Sequence, residues 1–340
     1  MVALAIFSAF FFRSLTPVDL EDKENVEFVV ESGWGKGTIA DALEEAGLIR
    51  SAFFFKVYVR LNDIDNLMAG TYSLSASMTV DDIVNVMSRG DNLENKTVTV
   101  TFVEGRRFPY YVSKISESMG FLEEDIYALT SNTEYLESLI SKYWFLSEEI
   151  LDPNIYYPLE GYLFPDTYEF RQSATIEEVL DKMLTEMGDK LKVYEDELKV
   201  SNYSIHDLLT LASMVELEAV TADDRRILAG VFYNRLNSGW TLGSDVTTYY
   251  AAKKDMTESL TTGDLNDCNA YNTRGTCVAG LPVGPICSPS YSSITASIEP
   301  EESDYYYFVA DKTNAIYFAR TEAEHLANIA KLREEDLWPE

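Results

Sequence analysis

The sequence predicts an α+β protein of more than one domain. Three observations carry this. Residues 26–90 read as a β-α-α-β-α module with strong punctuation. The glycine-rich turn in that module lacks the G-x-G-x-x-G spacing of a dinucleotide site, and no parallel sheet follows it. At Ser201 the composition shifts to helices rich in apolar residues. At 340 residues the chain is long for one ordinary domain, and 46% hydrophobic residues suffice for a sizeable core.

The elements follow in order. Val26 to Val30 is a strand candidate, and Gly33, Gly35 and Gly37 punctuate the turn after it. Ile39, Ala40, Leu43, Ala46 and Leu48 fall at helical spacing, and a second helical stretch covers Ala52 to Arg60. Gly70 to Leu74 reads as a strand. Thr79-Val80-Asp81-Asp82 has N-cap chemistry and opens a helix through Met87. Val98 to Glu104 is again a period-2 strand, closed by Gly105 and Pro109, with a helix from Tyr111 to Met119. Residues 121–155 read as irregular helices and Thr175 to Leu198 as a long charged helix. After Ser201 come apolar helices, a polar stretch (255–279), Pro/Gly turns, strands at 305–310 and 315–319, and a last helix from Thr321 to about Glu335.

Charge and composition exclude several classes. The net charge is -30, from 27 basic and 57 acidic side chains. No phosphate-neutralising patch is visible, so no nucleic-acid partner is expected, and attraction to anionic lipid is not expected either. Val2 to Phe12 is apolar apart from Ser8 but shorter than the roughly 20 residues of a spanning helix. It reads as the outer end of a membrane helix whose beginning precedes this sequence: an anchor remnant (1–13) followed by an acidic linker (14–25). The expected setting is therefore a single-pass membrane protein with the rest of the chain extracytoplasmic. Two histidines, His206 and His325, and three cysteines form no ligand motif, so no metal site and no cofactor is expected. Cys268, Cys277 and Cys287 share one loop-like region. A Cys268–Cys277 bond with Cys287 free is the expected arrangement, although Cys277 with Cys287 fits the spacing nearly as well.

The chemistry concentrates in Ser204 to Val220. Ile205, Leu208, Leu209, Ala212, Val215 and Ala219 line one side of a helix, and Glu216 lies on that stripe. A carboxyl there is expected to be desolvated and held protonated, the state of a general acid. The alternative is a carboxylate neutralised by a buried arginine, with Arg225, Arg226 and Arg235 nearby. Leu211, Met214 and Leu217 make the opposite side apolar as well. Glu218 lies about 200° away around the helix, and periodicity alone does not choose between the two acids.

The stretch LASMVELEAVTADDRRILAGVFYNRLNSGWTLGSDVTTYY resembles the signature region of the YceG-like endolytic murein transglycosylases, the MltG family. Further pieces match in order: LEGYLFPDTY at 159–168, Tyr271-Asn272-Thr273, GLPVGPI at 280–286 and Tyr307-Phe308-Val309-Ala310. The N-terminal module, including Ala69-Gly70-Thr71-Tyr72, is similar to the family's LysM-like domain. The resemblance implies a LysM-like module (26–96), an intermediate α+β subdomain (97–200) and a mixed α/β catalytic domain (201–340). It implies Glu216, the first acid of V-E-x-E, as catalyst with Glu218 in support. It implies Glu160, Asn234, Arg235, Asp245, Tyr271, Asn272 and Thr273 as cleft residues.

The sequence departs from the family pattern at Gly243-Ser244-Asp245, where Gln usually precedes the Ser/Thr-Asp pair. It also departs at Val246, usually Pro, in the longer spacer carrying Cys277, and at Glu299.

The implied reaction is cleavage of the MurNAc-GlcNAc β-1,4 bond inside nascent peptidoglycan strands. The muramic C6 hydroxyl attacks its own anomeric carbon, leaving a 1,6-anhydro end. Implied partners are the glycan strands, the membrane through the N-terminal helix, and peptidoglycan synthases. Two other readings stand beside it: a non-catalytic peptidoglycan-binding scaffold, and a muramidase-type hydrolase using Asp245 or Glu160 as a second acid.

Overall fold

Alternation builds the first sheet. A helix α1 (Val2–Ser14) is followed by β1 (Val26–Val30), in which Phe28 and Val30 turn inward while Val26 and Val29 stay exposed. Helices α2 (Lys36–Glu45) and α3 (Ala52–Leu61) separate it from β2 (Gly70–Leu74), its antiparallel partner, with Phe28 opposite Tyr72. Helix α4 (Val80–Arg89) starts at a Thr79/Asp82 capping box and stops at Gly90, whose φ is +70°. Leu43, Phe55, Tyr72, Ile83 and Met87 fill the core between these elements. The β-α-α-β-α order read from the sequence is the observed one.

These coordinates form a computed structural model describing residues 2–90 and 96–338, and for residues 2–6 the backbone alone. Residues 91–95, at the end of the expected LysM-like module, and 339–340, at the end of the expected catalytic domain, lie outside the described residues. The chain divides into two units, Met1–Thr99 with Glu169–Ala174, and Val100–Tyr168 with Thr175–Glu340.

Helix α1 has 13 residues, about 20 Å at 1.5 Å per residue, against a hydrocarbon core of about 30 Å. Among the described residues no helix is long and apolar enough to cross a membrane, so the expected single-pass anchor finds no spanning helix there. Phe7, Phe10 and Phe12 of α1 are exposed, while Phe7 and Phe11 pack on Phe54 of α3.

Strand β3 (Thr97–Thr101) pairs with β4 (Thr167–Arg171), and the elements from Phe108 onward other than β4 belong to the larger unit. Strand β4 was not anticipated from the sequence. Between the two strands run α5 (Phe108–Met119), α6 (Glu123–Thr130), α7 (Thr133–Lys142) and a 3-10 turn at Glu148–Leu151. After β4 come α8 (Ile176–Lys192) and α9 (Glu195–Val200), then α10 (Ile205–Glu218), α11 (Ala222–Asn237), α12 (Asp245–Ala251), α13 (Thr262–Asn266) and α14 (Tyr291–Ile298). Strands β5 (Tyr307–Ala310) and β6 (Ile316–Ala319) pair antiparallel, and α15 (Glu322–Glu334) follows.

Helix α10 is the axis of this unit. A Ser204/Asp207 capping box starts it, and every residue from Leu208 to Val215 is buried. Leu211, Met214 and Val215 pack with Phe232 of α11, Tyr250 of α12 and Tyr271. Cys268 is bonded to Cys277 and Cys287 is buried and unbonded, the arrangement expected from the sequence.

Candidate active site

Helix α10 delivers both glutamates at its last turn, and the fold treats them differently. Glu216 is surrounded by donors. Its Oε2 accepts from the Ser290 backbone N–H at 3.0 Å, the Ser290 hydroxyl at 2.5 Å and the Ser293 hydroxyl at 2.6 Å. Its Oε1 accepts from Arg225 at 3.1 Å, and the pair is buried, with side chains 5% and 15% exposed. Ser290 is the N-cap of α14, so the carboxylate also sits at the positive end of a helix. These contacts compensate a buried charge and tie α10 to α11 and α14. The expected unpartnered acid on an apolar stripe is not what Glu216 is; the arginine-neutralised alternative describes it. On its other side lies Gly105, where a Cβ would make ordinary contact with the Glu216 Cγ at 3.7 Å.

Glu218 is the last residue of α10. Its Oε1 accepts one hydrogen bond, from the Ser244 hydroxyl at 2.5 Å. Burial pushes its carboxyl above the usual range; the Ser244 bond opposes this and the nearby Asp245 charge adds to it. Glu218 lines a pocket of about 450 Å³ together with Arg235, Asp245, Arg274, Phe308 and Trp338. The pocket therefore joins a desolvated acid, two guanidinium groups and two aromatic faces. Asp245 pairs with Arg274 there. Arg235 donates to the carbonyls of Tyr306 and Leu242, and its guanidinium lies over Phe308 at 5.4 Å.

Of the other residues implied by the sequence, five support rather than line this pocket. Thr273 is fully buried; its hydroxyl accepts from Ser244 N–H at 3.1 Å and its carbonyl accepts from Gly243 N–H. It holds the loop that aims Ser244. Asn272 spends its amide on the carbonyls of Asp264, Leu265 and Asp267. Tyr271 is core, its hydroxyl donated to by the Tyr156 N–H. Asn234 donates to the carbonyls of Ser303 and Tyr305 and lines a separate cavity of about 600 Å³.

Glu160 is 2% exposed. Its Oε2 accepts from Phe108 N–H and Tyr250 O–H while its Oε1 has no partner. Burial pushes its carboxyl up to about 8. These five lie outside the pocket at Glu218, and Glu160 keeps one carboxyl oxygen without a partner.

Sequence reasoning missed Ser244, Arg274, Phe308, His325 and Trp338, all at or beside the pocket. Three carried a signal, since Ser244 precedes Asp245, Arg274 follows Thr273 and Phe308 stands within the quoted Tyr307–Ala310 motif. His325 and Trp338 arrive from α15 and the segment after it, where no motif was quoted. Among the described residues no group of His, Cys, Asp or Glu is placed to hold a metal ion.

The order of these motifs along the chain can be matched against known proteins. The YceG-like family model matches residues 28–331. The chain belongs to the YceG-like family. A YceG-like protein of Listeria monocytogenes, known from a crystal structure, shares 33% identity over 90% of this chain and 99% of its own, with a TM-score of 0.64. The endolytic murein transglycosylase of Streptococcus pneumoniae R6 is 33% identical over 97% of this chain, and this YceG-like chain spans 64% of that relative's length. The endolytic murein transglycosylase of Bacillus subtilis 168 is 32% identical over 92% of this chain and 86% of its own.

Proposed function

We propose that this YceG-like chain is a lytic transglycosylase that cuts peptidoglycan glycan strands internally, with Glu218 as its acid. The observation that carries the proposal is a desolvated glutamate with one hydrogen bond, at a pocket floored by aromatic and cationic groups. The named activity of the pneumococcal and Bacillus relatives supports the same reaction class.

In this reading Ser244 fixes Oε1 of Glu218, leaving Oε2 to carry the proton. Glu218 gives that proton to the oxygen linking MurNAc to GlcNAc. The muramic C6 hydroxyl attacks the anomeric carbon, and ionised Glu218 accepts the hydroxyl proton, so no water is consumed and a 1,6-anhydro end forms. Phe308 and Trp338 offer ring faces to sugar C–H surfaces. Glu216 acts through structure: anchored by Arg225, Ser290 and Ser293, it fixes the last turn of α10. This reverses the roles expected of the two acids, and the buried partners of Glu216 are the reason.

The division into LysM-like module, intermediate subdomain and catalytic domain belongs to the same proposal. It is supported by the pocket residues, all of which fall within 201–340. The Cys268–Cys277 bond supports an extracytoplasmic setting. There the enzyme meets strands as polymerases extend them, which makes peptidoglycan synthases its neighbours. One observation favours a second reading, hydrolysis, because Asp245 lines the same pocket as Glu218; its pairing with Arg274 argues against a free base.

Mass spectrometry of uncrosslinked glycan polymer digested by the full chain tests the proposal. Anhydro ends on long fragments early in the digest are expected. Hydrolysed reducing ends would transfer the reading to Asp245-assisted hydrolysis, and early disaccharides would overturn internal cutting.

A further inference from the structure

A second groove, of about 660 Å³, opens beside the last turn of α10 and is lined by Gly105, Arg106, Arg107, Tyr110, Leu217 and Lys253, among others. Cations are scarce in a chain of net charge -30, and most that lie near an acid are paired with it. Here, among the described residues, Arg106, Arg107 and Lys253 form no salt bridge, although after its Thr257 bonds the charges of Arg107 and Arg106 help hold the Asp255 carboxyl below its usual range. The Arg106 guanidinium lies over Tyr110 at 5.7 Å, that of Arg107 over Tyr250 at 5.2 Å, and the Lys253 ammonium over Tyr156 at 4.4 Å. Ring faces hold such groups without using their N–H donors.

Two acids share the groove, and one oxygen of each is engaged locally. Asp255 accepts from the Thr257 N–H and hydroxyl at 2.9 and 2.6 Å, and Glu258 accepts from the Asp255 N–H at 2.7 Å. Lys254, by contrast, is paired with Asp264 at 2.5 Å.

The backbone adds an independent observation. Helix α12 ends in a Schellman motif: Lys254 N–H bonds the Tyr249 carbonyl at 2.9 Å and Lys253 N–H that of Tyr250 at 3.0 Å. Lys253 therefore occupies the left-handed C′ position, at φ +54°, where glycine is favoured and an L side chain is strained. A cation is kept where the fold would be served better by glycine.

We propose that this groove binds carboxylates on the muramyl side chains of the glycan strand, alongside the sugars held at Glu218. The inference rests on the glycan-cleaving reading for its choice of ligand. The carboxylates come either from free lactyl groups or from stem peptides; the shared chemistry is a flexible carboxylate facing a guanidinium and an ammonium.

The test is binding of three tetrasaccharides to the full chain carrying Glu218→Gln, measured at two salt concentrations. Chitotetraose has no carboxylate, a peptide-free glycan has lactyl carboxylates, and a peptide-bearing glycan has stem carboxylates. Arg106→Gln and Lys253→Gly are then added singly. Each is expected to weaken a carboxylate-bearing ligand about tenfold relative to chitotetraose, the worth of one charge-assisted hydrogen bond, and to reduce its salt sensitivity. The ligand affected identifies the source. Lys253→Gly is expected to melt no lower than the parent, which separates this loss from misfolding. Equal weakening of chitotetraose, or no change with either glycan, would overturn the proposal. Product analysis with the unsubstituted chain reads the cleavage proposal separately, so either can fail alone.

Discussion

The Ser244 hydroxyl donates to Oε1 of Glu218 at 2.5 Å, although Ser244 stands at the N-cap of α12, where a serine ordinarily bonds its own helix. The helix gives up its side-chain cap and the acid gains an orienting donor. Ser244→Ala should therefore cost little stability, under about 1 kcal/mol, because no cap is lost. It should lower kcat/KM roughly tenfold and move the alkaline limb of the pH profile upward, since the lost bond is one that opposes the rise in the Glu218 pKa. Steady-state kinetics across pH, with melting curves, check both.

The unsubstituted enzyme should likewise keep its acid at a pH where an ordinary carboxyl is ionised. Desolvation raises the Glu218 pKa, so the proton-donating form survives to higher pH and is lost as pH rises through the raised value. The falling limb of kcat/KM should lie above the usual carboxylate range, and Glu218→Asp should displace it. A limb unaffected by that substitution would assign it elsewhere.

Glu160 gives a stability prediction of definite sign. Its carboxyl is raised from 4.5 to about 8, so above the lower value the unfolded chain releases a proton that the folded chain keeps. Stability is thus full below the unfolded pKa and falls as pH rises toward the folded one, by up to roughly 5 kcal/mol. Denaturant unfolding between pH 4.5 and 8 should show this slope, and Glu160→Gln should flatten it.

The fold was more legible in the sequence than the site. Thr79 announced a helix start and heads a capping box, and Ser204 heads another before the helix read from Ile205 onward. Strand β4 went unread because its partner lies far along the chain, as the Thr101–Thr167 hydroxyl pair shows at 66 residues' separation. Glu216 and Glu218 could not be ranked because α10 is buried all round, so neither face marks itself. What separates them is remote: Ser290 and Ser293 for one, Ser244 for the other. Tyr271-Asn272-Thr273 was legible as a motif, yet its side chains shape the pocket from beneath.

The Cys268–Cys277 bond closes the loop that carries Arg274, the partner of Asp245. Replacing both cysteines by serine should lower stability by about 2–3 kcal/mol, as expected for a short closed loop. It should also raise KM more than it lowers kcat, because Arg274 loses its fixed position. Reducing agent should reproduce the effect in the parent and leave the double variant unchanged.

The assignment of the acid is tested most directly by comparing Glu216→Gln with Glu218→Gln for anhydro-end formation per folded molecule. General acid catalysis contributes roughly a hundred- to ten-thousandfold, so Glu218→Gln should lose about a thousandfold in kcat with its melting temperature nearly unchanged. Glu216→Gln leaves Arg225 without its carboxylate in a buried setting, which should cost about 3 kcal/mol of stability, while the molecules that remain folded still cleave. A folded, inactive Glu216→Gln beside an active Glu218→Gln would contradict the account.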